Sequence, residues 1–458
     1  MLRKHCIAGA VWFACVGCNN APPVPDNPLS VGAPDFGVTK TLAVAPPPIS
    51  GGTMLLSRDG KTAIAADPDR DLISFVDLAG RAVRAQAALS PGDEPGRLVE
   101  DGGGRVHVAL RGSGELATLS LATGQLLERR PVCPQPRGVA YDGTTDQVIV
   151  ACATGELVTF PAPSGSAVRS LAIEPDLRDV VVDGDTIFVS KFRTAEILSL
   201  TRSGVISNRT SLPVNGSGAL PAMAWRMRAT ADHQLAVSYQ LDAVGFLPTT
   251  PGGYGNSGSG AIVRSAVANI SMVDMTNIQS PSSFDTIVLP VDLAIAPSTP
   301  TAVNNAVLVG AGNWKSKATS SYASVGPFIQ NARRVLVDGQ LIAAELGQDG
   351  TLLLQSREPA LLHVVQPGGG SQDDTILATI TLSDVSREDT GHTIFHTNSG
   401  GSLACASCHG EGGDDAQTWN FDGKKPRRTP SLLGTVKDTA PYHWDADFRD
   451  LQALSHEV

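Results

Sequence analysis

The chain is 458 residues long, carries a net charge of −10 and is only 5% aromatic. That length allows two domains, or one large all-β domain with a small addition; the acidic balance speaks against nucleic-acid binding, and no internal apolar run is long enough to span a bilayer. Glycine (47) and proline (31) are plentiful, which favours many short strands joined by tight turns over long helices.

The first residues read as an export signal. Arg3, Lys4 and His5 form a basic start, and residues 6–17 form a short apolar stretch, too short for a membrane span and right for a signal h-region. It ends Cys15-Val16-Gly17-Cys18, followed by Asn19-Asn20-Ala21-Pro22-Pro23. This stretch resembles a bacterial lipobox, with Cys15 standing where leucine is usual. The resemblance implies a lipoprotein-type signal peptide over 1–18, lipid on Cys18, a membrane lipid anchor, and a place in the periplasm or at the outer membrane. Ordinary signal cleavage nearby is the alternative. Residues 19–34 read as a flexible tether.

From 35 to 384 the sequence repeats. Asp59-Gly60, Asp101-Gly102, Asp142-Gly143 and Asp183-Gly184 each sit between two β-like runs, 42, 41 and 41 residues apart. Asp-Gly is a hairpin signal because glycine accepts the positive φ such turns need. An apolar strand follows each turn (62–65, 106–110, 147–151, 186–190). Then comes an acidic residue (Asp71, Glu115, Glu156, Glu196) and a second strand. Less regular units start near Ala222 and Val291, and a last one turns at Asp349-Gly350, for seven in all. A period in the low forties with several short strands per unit indicates propeller blades. The strand 375–382 completes the final blade, with an early strand such as 39–44 expected beside it to close the ring. By repeat pattern this part resembles lactonase-like, YVTN-type β-propellers, although the signature tetrapeptide is not present in full. Insertions at 245–260 and 310–327 read either as a binding rim or as plain excursions. His107, His233 and His363 fall in separate units and read as structural. Cys133 and Cys152 flank the Asp142-Gly143 turn, and either a disulfide or two buried thiols suits them.

The boundary falls near 383–386. The segment 386–458 holds five of the nine histidines and two of the five tryptophans, a change of character that marks a second domain. Within it, Cys405-Ala406-Ser407-Cys408-His409 has the spacing of covalent haem attachment. Two thiols three positions apart reach the two vinyl groups of one porphyrin, and the next histidine falls beneath the iron. A thioredoxin-like pair would call for a βαβ setting, a zinc site for two more ligands, and a simple disulfide would leave His409 without a role.

The surrounding order is Gly391-His392-Thr393-Ile394-Phe395, the Cys-x-x-Cys-His, then Arg427-Arg428-Thr429-Pro430-Ser431-Leu432, then Trp444-Asp445. It resembles the first haem lobe of bacterial di-haem cytochrome c peroxidases and methylamine-utilisation-type enzymes. The resemblance implies a small α-helical cytochrome c domain carrying one haem c, with Cys405 and Cys408 attached and His409 as axial ligand. It also implies a redox partner protein and peroxidase-like oxidoreductase chemistry, with Trp444 assisting electron transfer. That family has a second Cys-x-x-Cys-His, which is not found before Val458; the amphipathic pattern from Asp450 reads as a helix cut off in mid-course. No methionine follows Met275, so the candidates for the sixth ligand are His443, beside the Trp-Asp element and preferred, His392, His396, His456, or water. No catalytic acid/base group is assigned. The expected whole is a mainly β protein, a seven-bladed β-propeller followed by the haem domain. Its expected role is electron transfer in a di-haem peroxidase-like system. The alternative is a propeller-based binding or scaffold protein with a haem relay, and catalysis by the propeller itself ranks last.

Overall fold

A computed structural model describes residues 34–214, 219–247, 261–277, 280–296, 306–315, 321–325, 337–368, 373–399, 401–421, 425–434, 436, 438–443, 446, 448 and 449–457. The signal segment with Cys18, most of the two insertions, and Trp444 lie outside the described residues.

Seven antiparallel sheets follow one another along the chain, six of four strands and one, spanning 292–325, of three among the described residues. Their first strands are Met54–Leu56, Pro95–Glu100, Pro136–Asp142, Leu177–Asp183, Leu220–Ala229, Asp292–Ile295 and Leu341–Leu346. Each first strand touches the next, and the seventh returns to the first. The chain is therefore a β-propeller with these seven strands around its axis. In blades one to four and seven the middle strands are buried and the outermost is the more exposed, as in Thr62–Asp67 against Ala82–Ala88. The core is divided into apolar clusters wedged between neighbouring blades.

The ring closes differently from the expectation. The last blade takes all four strands from 341–383, and residues 39–44 form no strand. The backbone of Lys40 and Leu42 is instead bound by Thr390 and Asp389 at the start of the C-terminal segment. With its fourth strand supplied locally, the blade is complete without the early segment. Closure combines a backbone bond, Gly52 N–H to Ile342 O at 3.1 Å, with side-chain packing: Met54, Ala63 and Ala65 pack on Ala343, Leu353 and Leu362. Arg357 also meets Asp69 at 2.6 Å and Arg70 meets Glu358 at 2.7 Å across the seam.

The segment after 386 differs too. Among its described residues the helices are short: α1 (Thr390–His396), α2 (Cys405–Cys408) and α3 (Leu451–Glu457). A small α-helical domain with its own core is not what they form. Leu403, Trp419 and Phe421 share a cluster with the propeller residues Leu247, Ile262 and Val263, and the strand Thr418–Phe421 pairs parallel with Phe246–Leu247. Leu403, Trp419 and Phe421 thus bury against the propeller rather than in a core of the segment's own, while Leu433 and Leu451 stay exposed. No helix among the described residues is long and apolar enough to cross a membrane.

Candidate functional site

The seven inner strands bring charge to the axis. Arg97, Arg137, Arg178, Arg226 and Arg228 stand on four consecutive ones, and Asp179, Asp292 and Glu345 stand on inner strands of blades four, six and seven. The charges form two layers. In the inner layer Arg226 bonds Asp179 at 3.0 Å and meets Asp292 at 3.2 Å. Arg97 meets Asp179 at 3.4 Å, and Arg228 bonds Glu345 at 2.6 Å. Three guanidinium groups thus face three carboxylates, as buried charge requires.

The outer layer is completed from outside the propeller. Glu411, held at φ 53° in a short turn after His409, reaches into the mouth of the axis. There Arg178 donates to its Oε1 and Arg137 meets its Oε2, with Arg111 3.6 Å from Oε1. Burial, with the neighbouring guanidinium groups adding to it, pushes Arg137 down to about 9 and Arg178 well below its ordinary value. The approach is close: a Cβ on Gly410 would lie 2.5 Å from Met223 Sδ and 3.2 Å from the Phe192 ring. Met223 is placed there by a bulge in strand Leu220–Ala229.

The turn before it carries Cys405, Cys408 and His409. One helical turn sets both thiols, and the His409 N–H donates to Cys405 O at 3.0 Å. Gln240 of the propeller donates to Ser407 O at 2.8 Å. Both thiols are free. Burial pushes both up, and the nearby Asp415 and Asp242 carboxyls push Cys408 further. His409 Nδ1 lies 3.2 Å from Gly413 O. Gly413 O orients the ring, as a carbonyl does for many metal-bound histidines, and the Pro430 backbone also lies within hydrogen-bonding reach of the imidazole. Burial holds His409 below its ordinary value, so the ring is neutral at pH 7. A haem c fits this donor set: two reduced thiols one turn apart and a neutral imidazole oriented by a carbonyl. Among the described residues no group of three or more His, Cys, Asp and Glu side chains is arranged to hold a metal ion, so the zinc alternative finds no ligand set there.

The other histidines separate. His396 uses both nitrogens, Nδ1 toward His392 O at 2.8 Å and Nε2 accepting from the Ile49 N–H at 3.2 Å. His392 binds Pro47 O through Nε2 at 3.1 Å, and its ring lies 4.1 Å from that of His396. His443 sets its ring edge against Phe448 at 5.2 Å, and the side chain of His456 lies outside the described residues. His107 is enclosed between Asp101 and Thr118, His363 between Thr379 and Asp338 O. Cys133 and Cys152 are joined as a disulfide.

Asp242 stands out beside the turn. It is buried, and among the described residues neither carboxylate oxygen has a hydrogen-bond partner. It borders a cavity of about 280 Å³ shared with Leu247, Gln417, Trp419, Asn420 and Pro426. Burial, reinforced by Asp415, pushes its carboxyl well above the ordinary value. Between the unfolded value of about 3.9 and that raised value the folded state binds the extra proton, so stability falls as pH rises through this window. Asp242→Asn is therefore expected to stabilise the protein by about 1–3 kcal/mol at pH 7. The gain should vanish below about pH 4, in urea midpoints measured against pH. Destabilisation at pH 7 would show that the carboxylate is wanted charged.

The arginines and Glu411 were not read from the sequence as a site. A signal existed: Arg137 and Arg178 each stand five residues before the Asp-Gly of their repeat, so the period that marks the blades also aligns them.

No protein-family model and no curated protein matches the chain. Among solved structures, hydrazine synthase of Kuenenia stuttgartiensis is similar at 14% identity, TM-score 0.51, over 73% of this chain and 100% of that one. A streptogramin B lyase is similar at 14% identity, TM-score 0.45, over 69% and 92%. The virginiamycin B lyase from Staphylococcus aureus is similar at 12%, TM-score 0.44, over 67% and 92%. At such identities the likeness concerns the fold alone, and the first of the three supports the β-propeller.

Proposed function

We propose that the chain is an exported haem c protein acting in electron transfer. Cys405 and Cys408 hold the haem, His409 binds its iron, and a redox partner protein meets it in a di-haem peroxidase-like system. The observation that carries this reading is the pairing of two free thiols on one helical turn with an imidazole whose Nδ1 faces a backbone carbonyl. When bound, haem c supplies a one-electron redox centre. The chain's own residues orient it. Gly413 O sets the His409 ring, and Gln240 ties Ser407 O to the propeller. Export is supported by the Cys133–Cys152 disulfide, a bond that persists in oxidising compartments, and a lipid on Cys18 would keep the protein at a membrane. For the sixth ligand His396 is disfavoured, because both its nitrogens are engaged; His443, His392, His456 and water remain candidates. The second reading, a binding propeller with a haem relay, draws its support from the arginines at the mouth.

The test is covalent attachment. The full chain, produced in a periplasm with haem-attachment machinery, should keep its haem through denaturing electrophoresis. Replacing Cys405→Ala together with Cys408→Ala should remove it entirely. Haem that stays attached in that double variant, or a wild-type mass without haem, would overturn the assignment.

A further inference from the structure

The inner layer of axial charge is neutral within the propeller itself, with Arg97, Arg226 and Arg228 against Asp179, Asp292 and Glu345. The outer layer is not. Arg111 has Glu94 at 3.4 Å on the rim, and Asp176 is engaged by Arg193. The carboxylate that Arg137 and Arg178 both meet is Glu411, which belongs to the C-terminal segment. Arg178 is fixed in advance: its guanidinium donates to Ser50 O at 2.8 Å and lies 4.4 Å from the Phe192 ring. Remove Glu411 and a walled recess remains, with three forked donors from three blades aimed at one point. That is the geometry that binds carboxylate or phosphate oxygens.

We propose that the propeller mouth is a binding site for a small carboxylate or phosphate anion, which Glu411 occupies as an internal ligand, so that a soluble anion and the docked Glu411 carboxylate exclude each other. This goes beyond the haem assignment and does not depend on it. Glu411 lies two residues after His409, so release of its carboxylate removes one tether of the turn that carries the thiols and leaves the Gln240–Ser407 bond as another. An anion at the mouth thus loosens that turn against the propeller.

Inorganic phosphate serves as the probe, with the full chain. In the wild type, amide exchange of 405–413 should quicken as phosphate is titrated and stay unchanged in chloride of equal ionic strength. In Glu411→Ala the recess is vacant, and calorimetry should show phosphate bound at least ~10-fold more tightly than by the wild type. Adding Arg137→Ala and Arg178→Ala should abolish that binding. Should Glu411→Ala fail to melt cooperatively, Glu411→Gln keeps the side chain and removes the charge, and it should still bind phosphate more tightly than the wild type, by a smaller factor than Glu411→Ala. The proposal is overturned if a folded Glu411 variant binds phosphate no better than wild type. It is equally overturned if binding survives loss of both arginines, or if exchange of 405–413 ignores phosphate across the titration.

Discussion

Replacing Asp179 by alanine is expected to cost about 3–5 kcal/mol, close to the whole stability of many domains. The carboxylate is buried and takes hydrogen bonds from Arg226 Nη1 and from the Met227 N–H, both at 3.0 Å, with Arg97 Nε 3.4 Å away. Burial alone would raise its carboxyl; Arg97, Arg226 and the Met227 N–H together bring it below the ordinary value. Its contribution to stability is thus present above the unfolded value of about 3.9 and lost as pH falls through the folded one. Deletion leaves Arg97 and Arg226 sharing Asp292 as the nearest carboxylate. The cost arises from uncompensated buried charge rather than from the worth of the pair. Urea denaturation at pH 7 should show it, and the acid limb of the wild-type pH–stability curve should flatten in the variant. A loss under about 1 kcal/mol would show that water reaches the axis and screens the arginines.

The ring of blades was legible because its signal repeats, and where the reading failed the cause is physical. Asp59-Gly60 and Asp183-Gly184 turn as expected, with glycine φ of 70° and 55°. At Asp101-Gly102 the aspartate itself makes the turn. Its Oδ1 accepts the N–H groups of Gly103 and Arg105, and the positive φ passes to Gly104. The same dipeptide marked a turn through a different mechanism, so the period survived. The α-helical domain expected after 386 misjudged where apolar side chains go: Leu403, Trp419 and Phe421 pack against the propeller, and such a partner overrides local helix preference. The Cys405–His409 turn was legible because its chemistry is local. Glu411 was not, because a lone acidic residue reads as solvated until the fold brings three arginines to it.

Trp225→Ala is the second change of large expected effect, at about 3–5 kcal/mol. The indole is among the largest fully buried side chains. It packs edge-on against Phe192 at 5.0 Å, with the Arg178 guanidinium 5.4 Å from its ring, so truncation empties the centre of the cluster beneath the Cys405–His409 turn. Its Nε1 also donates to Gln240 Oε1 at 3.0 Å, and Gln240 passes the connection to Ser407 O. Two roles are therefore combined, and Trp225→Phe separates them. The phenyl ring keeps most of the packing and leaves the Gln240 oxygen buried without its donor, a cost of about 1–3 kcal/mol. Thermal unfolding should rank wild type above Trp225→Phe above Trp225→Ala. Amide exchange at Cys408 and His409 should quicken in Trp225→Phe as well, because Gln240 loses the contact that orients it toward Ser407. If exchange there changes only in Trp225→Ala, packing alone holds the turn, and the Trp225–Gln240–Ser407 chain contributes nothing to its position.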